Sequence, residues 1–159
     1  MKSDLGQGTA FHVYVPAIVD EVRGTEERKA KSAVPWGTES LLLVDDEELL
    51  VLAMAQYLEN LGYDAVPVTA STEALAMIME NPLRFNLVVT DMTMPQMTGL
   101  KMSPKILSLN PHIPIILCTG YNETITEDEA KRNGIREFIL KPVPFQKMAH
   151  LVRQVLDIL

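Results

Sequence analysis

The sequence has little cysteine, a deficit of positive charge and no long apolar run. Cys118 is the single cysteine among 159 residues, so an internal disulfide is excluded and a buried, unreactive thiol is expected. No apolar run approaches the roughly 18 residues that a membrane-spanning helix needs, and the N-terminus lacks a secretion signal. These absences predict a cytoplasmic protein without direct membrane contact.

The charge balance narrows the class of partner. Lysine and arginine number 14 against 21 aspartate and glutamate residues, which gives a formal net charge of −7. An acidic chain of this kind is poorly suited to bind nucleic acid, so we expect a protein or cation partner. The hydrophobic content of 47% is enough for a normal globular core.

Four short apolar segments each end at a polar or charged residue. Segments of this length that are rich in valine, leucine and isoleucine are typical of strands buried on both faces. The residues at their carboxyl ends are, in chain order, Asp45 with Asp46, Asp91, Thr119 and Lys141. If the strands are parallel, these residues lie at one edge of the sheet, where ligands collect in open α/β proteins.

A strand–helix alternation runs from about Ser40 to the end of the chain. It predicts a flavodoxin-like, doubly wound α/β fold: a five-stranded parallel sheet in the order 2-1-3-4-5, with helices on both faces. That order places the first and third strands side by side, so Asp45, Asp46 and Asp91 should converge. Ser71 is expected to cap the second helix, and Pro104 to distort or restart the third.

The converging residues suit phosphoryl chemistry. Three carboxylates at one edge repel one another unless a cation lies among them, and a site of oxygen ligands alone favours Mg²⁺ or Mn²⁺. Protonated Lys141 cannot bind that metal, but it can neutralise an arriving anion, and Thr119 offers a hydroxyl donor. The Asp91 carboxylate could then act as a nucleophile and form an acyl phosphate.

Residues 40–157 resemble the receiver domain of two-component response regulators. The resemblance rests on the acidic pair in the segment LVDDE, the segment VTDMTMP around Asp91, the segment CTGY around Thr119, Gly99, and the pair Lys141-Pro142. It implies that Asp91 accepts a phosphoryl group from the phosphohistidine of a histidine kinase or a histidine-phosphotransfer domain. It also implies that such a domain catalyses its own phosphorylation and dephosphorylation.

The resemblance assigns further roles around Asp91. Asp45 and Asp46 would hold Mg²⁺ together with Asp91 and the backbone carbonyl of Thr93. Lys141 would contact the phosphoryl group, and the Lys141-Pro142 peptide bond would be cis. The conformational switch would consist of two residues, Thr119 and Phe138.

The N-terminal segment is similar to a different family. Residues 6–16, with the sequence GQGTAFHVYVP, resemble the last turn and strand of the ATP-binding domain of sensor histidine kinases. The predicted organisation is therefore a kinase-derived remnant at 1–16, a linker at 17–38 in which Trp36 packs at the junction, and a receiver domain at 39–159. The parent would be a hybrid histidine kinase, whereas this chain would lack ATP binding, kinase activity and a following output domain.

Two other functions remain as alternatives. A phosphohydrolase that works through an aspartyl phosphate would use Asp91 as its nucleophile, but it also wants a second aspartate at the position of Thr93. The other alternative is an assembly module, in which the apolar strand at residues 10–15 joins a sheet edge or pairs with a second copy to give a homodimer.

Overall fold

The computed structural model describes residues 2–4, 8–10, 34–120 and 127–158, in a chain that divides into two compact units. The first unit spans Met1–Ser32 and contains two short antiparallel strands, β1 (Lys2–Asp4) and β2 (Gly8–Ala10). Of the strand predicted at residues 10–15, only Ala10 is described, and it pairs with Lys2 of the same chain. Most of the predicted linker, residues 17–33, lies outside the described residues.

The second unit, Ala33–Leu159, contains the predicted parallel sheet. Its strands are β3 (Ser40–Val44), β4 (Asp64–Val68), β5 (Leu87–Asp91), β6 (Ile115–Thr119) and β7 (Glu137–Leu140). The helices are α1 (Glu48–Glu59), α2 (Ser71–Glu80), α3 (Gly99–Leu109), α4 (Glu127–Arg132) and α5 (Phe145–Asp157). The strands are all parallel, in the order β4-β3-β5-β6-β7, which confirms the predicted 2-1-3-4-5 order.

The central strands are continuous apolar runs because both faces of the sheet are covered. Along β3, Leu41 and Leu43 belong to one core with α1 and α5, whereas Leu42 and Val44 belong to a second core with α2 and α3. Successive side chains of a strand point to opposite faces, so the positions of such a strand are apolar almost to its end; Thr90 is buried inside β5, and its hydroxyl donates to the backbone carbonyl oxygen of Asp91. Function is therefore confined to the ends of the strands.

Three local predictions are wrong. Ala70, not Ser71, occupies the N-cap position of α2; Ser71 is fully buried in the first turn, and its hydroxyl has no hydrogen-bond partner among the described residues. Helix α3 continues through Pro104, and the adjacent Ser103 hydroxyl donates to the carbonyl oxygen of Gly99 at 2.8 Å. Trp36 does not pack at a junction, because its side chain is 74% exposed.

The helix between β6 and β7 is described in part. Helix α4 is described from Glu127 to Arg132, and residues 121–126 lie outside the described residues. Ala130 lies in the second core, and the chain turns at Gly134, whose φ of 73° favours glycine. Strand β7 begins three residues later and carries the chain to Lys141.

Candidate functional site

The three predicted carboxylates meet at the carboxyl edge of the sheet. Asp91 is the last residue of β5, and Asp45 directly follows the neighbouring strand β3, where Val44 lies opposite Thr90. One carboxylate oxygen each from Asp45, Asp46 and Asp91 can be chosen so that all three lie within 4.8 Å of one another. The predicted convergence therefore follows from the strand order alone.

Lys141 joins two of these carboxylates. Its Nζ lies 2.7 Å from Oδ2 of Asp45 and 2.8 Å from Oδ1 of Asp91. The backbone positions the lysine, because its N–H donates to the carbonyl oxygen of Thr119 at 2.8 Å. The following peptide bond, Lys141-Pro142, is cis, as predicted.

The second oxygen of Asp45 is also engaged. Oδ1 accepts a hydrogen bond of 3.0 Å from the backbone N–H of Glu47, in the tight turn that leads into α1. Asp46, between them, is exposed. Asp45 is thus held by the turn on one side and by Lys141 on the other, which leaves Asp46 as the carboxylate most accessible to solvent.

Burial disfavours the ionised form of the Asp91 carboxyl group. Only 7% of this residue is exposed, and its burial raises the pKa of the carboxyl even though the hydrogen bond and charge of Lys141 act to lower it. Burial also acts to lower the pKa of Lys141, but the hydrogen bonds that the lysine donates to Asp45 and Asp91, together with their charges, outweigh it, so the pKa of the lysine is raised. One positive charge is shared between two carboxylates, which leaves a surplus of negative charge at the edge.

Backbone hydrogen bonds fix the position of Asp91. The N–H of Met92 donates to the carbonyl oxygen of Cys118 at 2.8 Å, and the N–H of Gly99 donates to the carbonyl oxygen of Met92 at 3.0 Å. A Cβ atom at Gly99 would overlap the backbone carbonyl oxygen of Asp91. Gly99 is therefore required for the loop after β5 to fold back against the strand.

The remaining predicted site residues differ in their environment. Thr119 ends β6 and is 1% exposed, and its hydroxyl oxygen has no hydrogen-bond partner within the described chain. Phe138, in β7, is 40% exposed. Thr93 is exposed in the loop that follows Asp91.

The donor set fits a hard divalent cation. Its side-chain ligands are all carboxylate oxygens, and their surplus charge is open to solvent at Asp46. Magnesium prefers oxygen ligands and keeps several of its waters, so a shallow site with few protein ligands suits it. The residues present thus fit Mg²⁺ on the chemistry of the donors.

Sequence reasoning missed a cavity beneath this edge. A partly open space of about 520 Å³ lies beside Asp45, Asp91 and Lys141 and is lined by residues of the sheet, α1 and α5. Its lining is mainly apolar: Leu50, Pro142 and Val143 are partly or fully exposed at its open side, and Leu43, Val44, Val51, Met54, Val89 and Met148 are buried at its floor. No sequence pattern predicts a cavity, because the volume of a cavity depends on how closely the helices approach the sheet.

The fold and this edge define a flavodoxin-like α/β domain with a candidate metal site at its topological switch point. The model of the response regulator receiver domain family matches residues 41–153. The chain therefore belongs to the response regulator receiver domain family of two-component signalling.

Individual relatives agree with this assignment. The chain is 26% identical to "Sensor kinase CckA" of Brucella abortus over 98% of its own length and 17% of that protein. It is 35% identical to the "C4-dicarboxylate transport transcriptional regulatory protein DctD" of Rhizobium meliloti, over 72% of this chain and 25% of the relative. The chain thus spans a quarter or less of the length of these two relatives.

Solved structures show the same fold. A response regulator receiver domain protein from Clostridium thermocellum is similar with a TM-score of 0.70 and 28% identity, over 75% of this chain and 94% of that one. A CheY-like receiver domain protein from Methanospirillum hungatei gives a TM-score of 0.69 and 29% identity, over 76% and 95%. Among the described residues, no helix has the length and apolar character needed to cross a membrane.

Proposed function

We propose that this chain accepts a phosphoryl group on Asp91 in a Mg²⁺-dependent reaction and changes conformation in response. The observation that carries the proposal is the arrangement of Asp91: a buried carboxylate 2.8 Å from a lysine and within 4.8 Å of two further carboxylates. A carboxylate that served only stability would not lie beside two other negatively charged carboxylates, because the repulsion between like charges costs free energy.

The donor is a phosphohistidine. An Oδ atom of Asp91 attacks the phosphorus, a P–O bond forms and the P–N bond breaks, and the bonding electrons leave with the imidazole, which takes up a proton. Bound to Asp45, Asp46, Asp91 and the backbone carbonyl of Thr93, Mg²⁺ would neutralise phosphoryl charge. Lys141 supplies further positive charge, because its ammonium group already lies 2.8 Å from Oδ1 of Asp91.

The conformational response involves Thr119 and Phe138. A buried hydroxyl without a hydrogen-bond partner among the described residues costs free energy, so a new acceptor nearby would attract it. A phosphoryl oxygen on Asp91 is such an acceptor, since Asp91 and Cys118, the neighbour of Thr119, lie opposite each other in the sheet. Movement of Thr119 would open space for the half-exposed Phe138 ring, in the adjacent strand, to turn inward.

The parent protein is a hybrid histidine kinase. Under this proposal, residues 1–16 are the end of an ATP-binding domain, 17–38 a linker and 39–159 the receiver. The supporting observation is the extent of the similarity: the match to Sensor kinase CckA covers 98% of this chain, whereas the match to the transcriptional regulator DctD covers 72%. The partner is then a histidine kinase or a histidine-phosphotransfer domain in the cytoplasm.

Intact mass after incubation with Mg²⁺ and acetyl phosphate tests the proposal. The wild type should gain one phosphoryl group, and Asp91→Asn should gain none. Asp64→Asn is the matched control, because Asp64 lies at the opposite end of its strand β4 and should leave the adduct unchanged. Absence of an adduct from folded wild type, or an equal adduct on Asp91→Asn, would contradict the proposal, and turnover of phosphate esters would favour the phosphohydrolase alternative.

A further inference from the structure

The cavity beneath the acidic edge is larger and more apolar than phosphoryl transfer requires. A divalent cation and a phosphoryl group need charged and polar ligands, which the rim of the edge supplies. The space of about 520 Å³ lies within the range of small-molecule binding pockets, and most of its wall is aliphatic. The proposed reaction leaves this apolar volume without a use.

Charge at the mouth of the cavity selects the kind of molecule that fits. Asp45, Asp91 and Glu47 line the cavity, and among the described residues that line it only Lys141 carries a positive charge. Asp46 adds a further carboxylate within 4.8 Å of its neighbours. The mouth is therefore net negative, and it would repel an anionic head group and attract a cationic one.

We propose that this cavity binds a small amphipathic molecule with an aliphatic body and a cationic head group. The body lies against Leu50, Pro142 and Val143, and the ammonium group lies at the mouth against Asp45 and Asp91. The head then takes the place that we assign to Mg²⁺, so the ligand and the metal compete. The binding claim stands on the cavity itself, whereas its consequence, slower phosphorylation, rests on the proposed function.

The cavity wall favours an aliphatic chain over a second polar group. Leu50 and Val143 line the open part of the cavity, and the buried side chains of Val51, Val89 and Met148 form its floor. The Cys118 thiol also lines the space, and burial raises its pKa to about 12, so it adds no charge. A ligand with polar groups along its body would lose hydration here without finding partners.

Calorimetric titration of the wild-type chain with n-octylamine, in buffer without Mg²⁺, measures the binding. The amine should bind more tightly than 1-octanol, and octanoate should bind most weakly. From n-hexylamine to n-octylamine, each added methylene should tighten binding about threefold to fourfold, as expected for burial in an apolar space. Saturating Mg²⁺ should weaken the binding of the amine and leave that of 1-octanol unchanged.

Two neighbouring leucines on α1 provide a matched pair of variants. Leu50 lines the cavity and is partly buried, whereas Leu49 is 81% exposed and does not line it. Leu50→Trp should weaken octylamine binding by about tenfold or more by filling the space, and Leu49→Trp should change it less than about twofold. Circular dichroism checks that both variants fold.

Asp45→Asn gives an independent test that leaves the cavity wall intact. It should weaken the binding of octylamine and leave the binding of 1-octanol unchanged, because it removes one of the carboxylates at the mouth. The inference is overturned if the wild type does not bind the amine, if the amine and the alcohol bind equally well, or if both tryptophan variants lose affinity equally. Phosphorylation of Asp91 with no binding of octylamine would overturn this inference alone, whereas binding without phosphorylation would overturn the proposed function alone.

Discussion

Removal of the Asp91 charge should stabilise the folded receiver unit when Mg²⁺ is absent. The Asp91–Lys141 attraction at 2.8 Å is worth about 6 kcal/mol at an effective dielectric constant of ~20. Repulsion from a carboxylate within 4.8 Å opposes it by at least about 3 kcal/mol for Asp45, and by less for Asp46, which is exposed. Desolvation of the buried Asp91 adds several kcal/mol to the opposing side.

The sum of these contributions is small and unfavourable to the ionised form, which agrees with the raised pKa of Asp91. Asp91→Asn should therefore raise the free energy of unfolding by about 1 kcal/mol at pH 7, and the melting temperature by about 3–5 °C. A carboxyl whose folded pKa is raised stabilises the fold fully below its unfolded pKa, and that stability is lost as the pH rises through the folded value. The advantage of the variant should thus disappear below about pH 4.

Urea unfolding followed by circular dichroism measures the stability of wild type and Asp91→Asn, with and without Mg²⁺. Wild type should gain about 2.7 kcal/mol when Mg²⁺ reaches 100 times its dissociation constant, and Asp91→Asn should gain much less. If the variant is less stable than wild type by 1 kcal/mol or more without Mg²⁺ at pH 7, the ion pair with Lys141 outweighs the repulsion and the reasoning is refuted.

Further predictions concern the loop, the thiol and the C-terminal helix. Gly99→Ala should destabilise the receiver unit by about 2 kcal/mol or more and abolish the phosphoryl adduct, because the added Cβ would overlap the backbone carbonyl oxygen of Asp91. Urea unfolding measures the loss of stability and intact mass measures the adduct. An unchanged adduct would contradict the prediction. Cys118 should not react with a thiol reagent at pH 8 until the protein unfolds, because burial raises its pKa to about 12; rapid labelling in native buffer would show that the thiol is accessible. Arg153→Gln should cost less than about 1 kcal/mol at pH 7, by loss of the 2.7 Å pair with Glu39. Burial acts to raise the pKa of Glu39, but the hydrogen bond that it accepts from Arg153 outweighs burial, and the pKa is lowered. The unfolding curves of wild type and Arg153→Gln should therefore converge as the pH falls through that lowered pKa. A stability difference that stays constant with pH would exclude the ion pair as the cause.

The topology could be predicted because the three central strands are buried on both faces. Leu41–Val44 and Ile115–Cys118 are apolar without interruption, and each stops at the carboxyl edge with a polar residue. The alternation with helices then requires parallel pairing, and the strand order places Asp45 beside Asp91. The positions of Asp45, Asp91, Thr119 and Lys141 follow from where their strands end. Thr93 and Phe138 do not end a strand, and only the resemblance to receiver domains assigned them to the site.

Local and volumetric features could not be predicted in the same way. A serine that precedes a helical pattern is usually the N-cap residue of the helix. Ser71 is instead the first residue of α2 and is fully buried. Pro104 removes one backbone hydrogen-bond donor without ending α3. The packing of Met102 and Ile106 in the second core offsets the free energy lost with that hydrogen bond. The cavity under Asp91 depends on the distance between α1, α5 and the sheet, which no sequence pattern encodes.

The most direct test of the central claim is the identification of the phosphorylated residue. After incubation with Mg²⁺ and acetyl phosphate, borohydride reduces an acyl phosphate of aspartate to homoserine, and peptide mass spectrometry locates the change. The account predicts homoserine at position 91 and unmodified aspartates at positions 45 and 46. Reduction at Asp45 or Asp46 instead, or a stable phosphoryl group that resists borohydride on a histidine or serine, would contradict it.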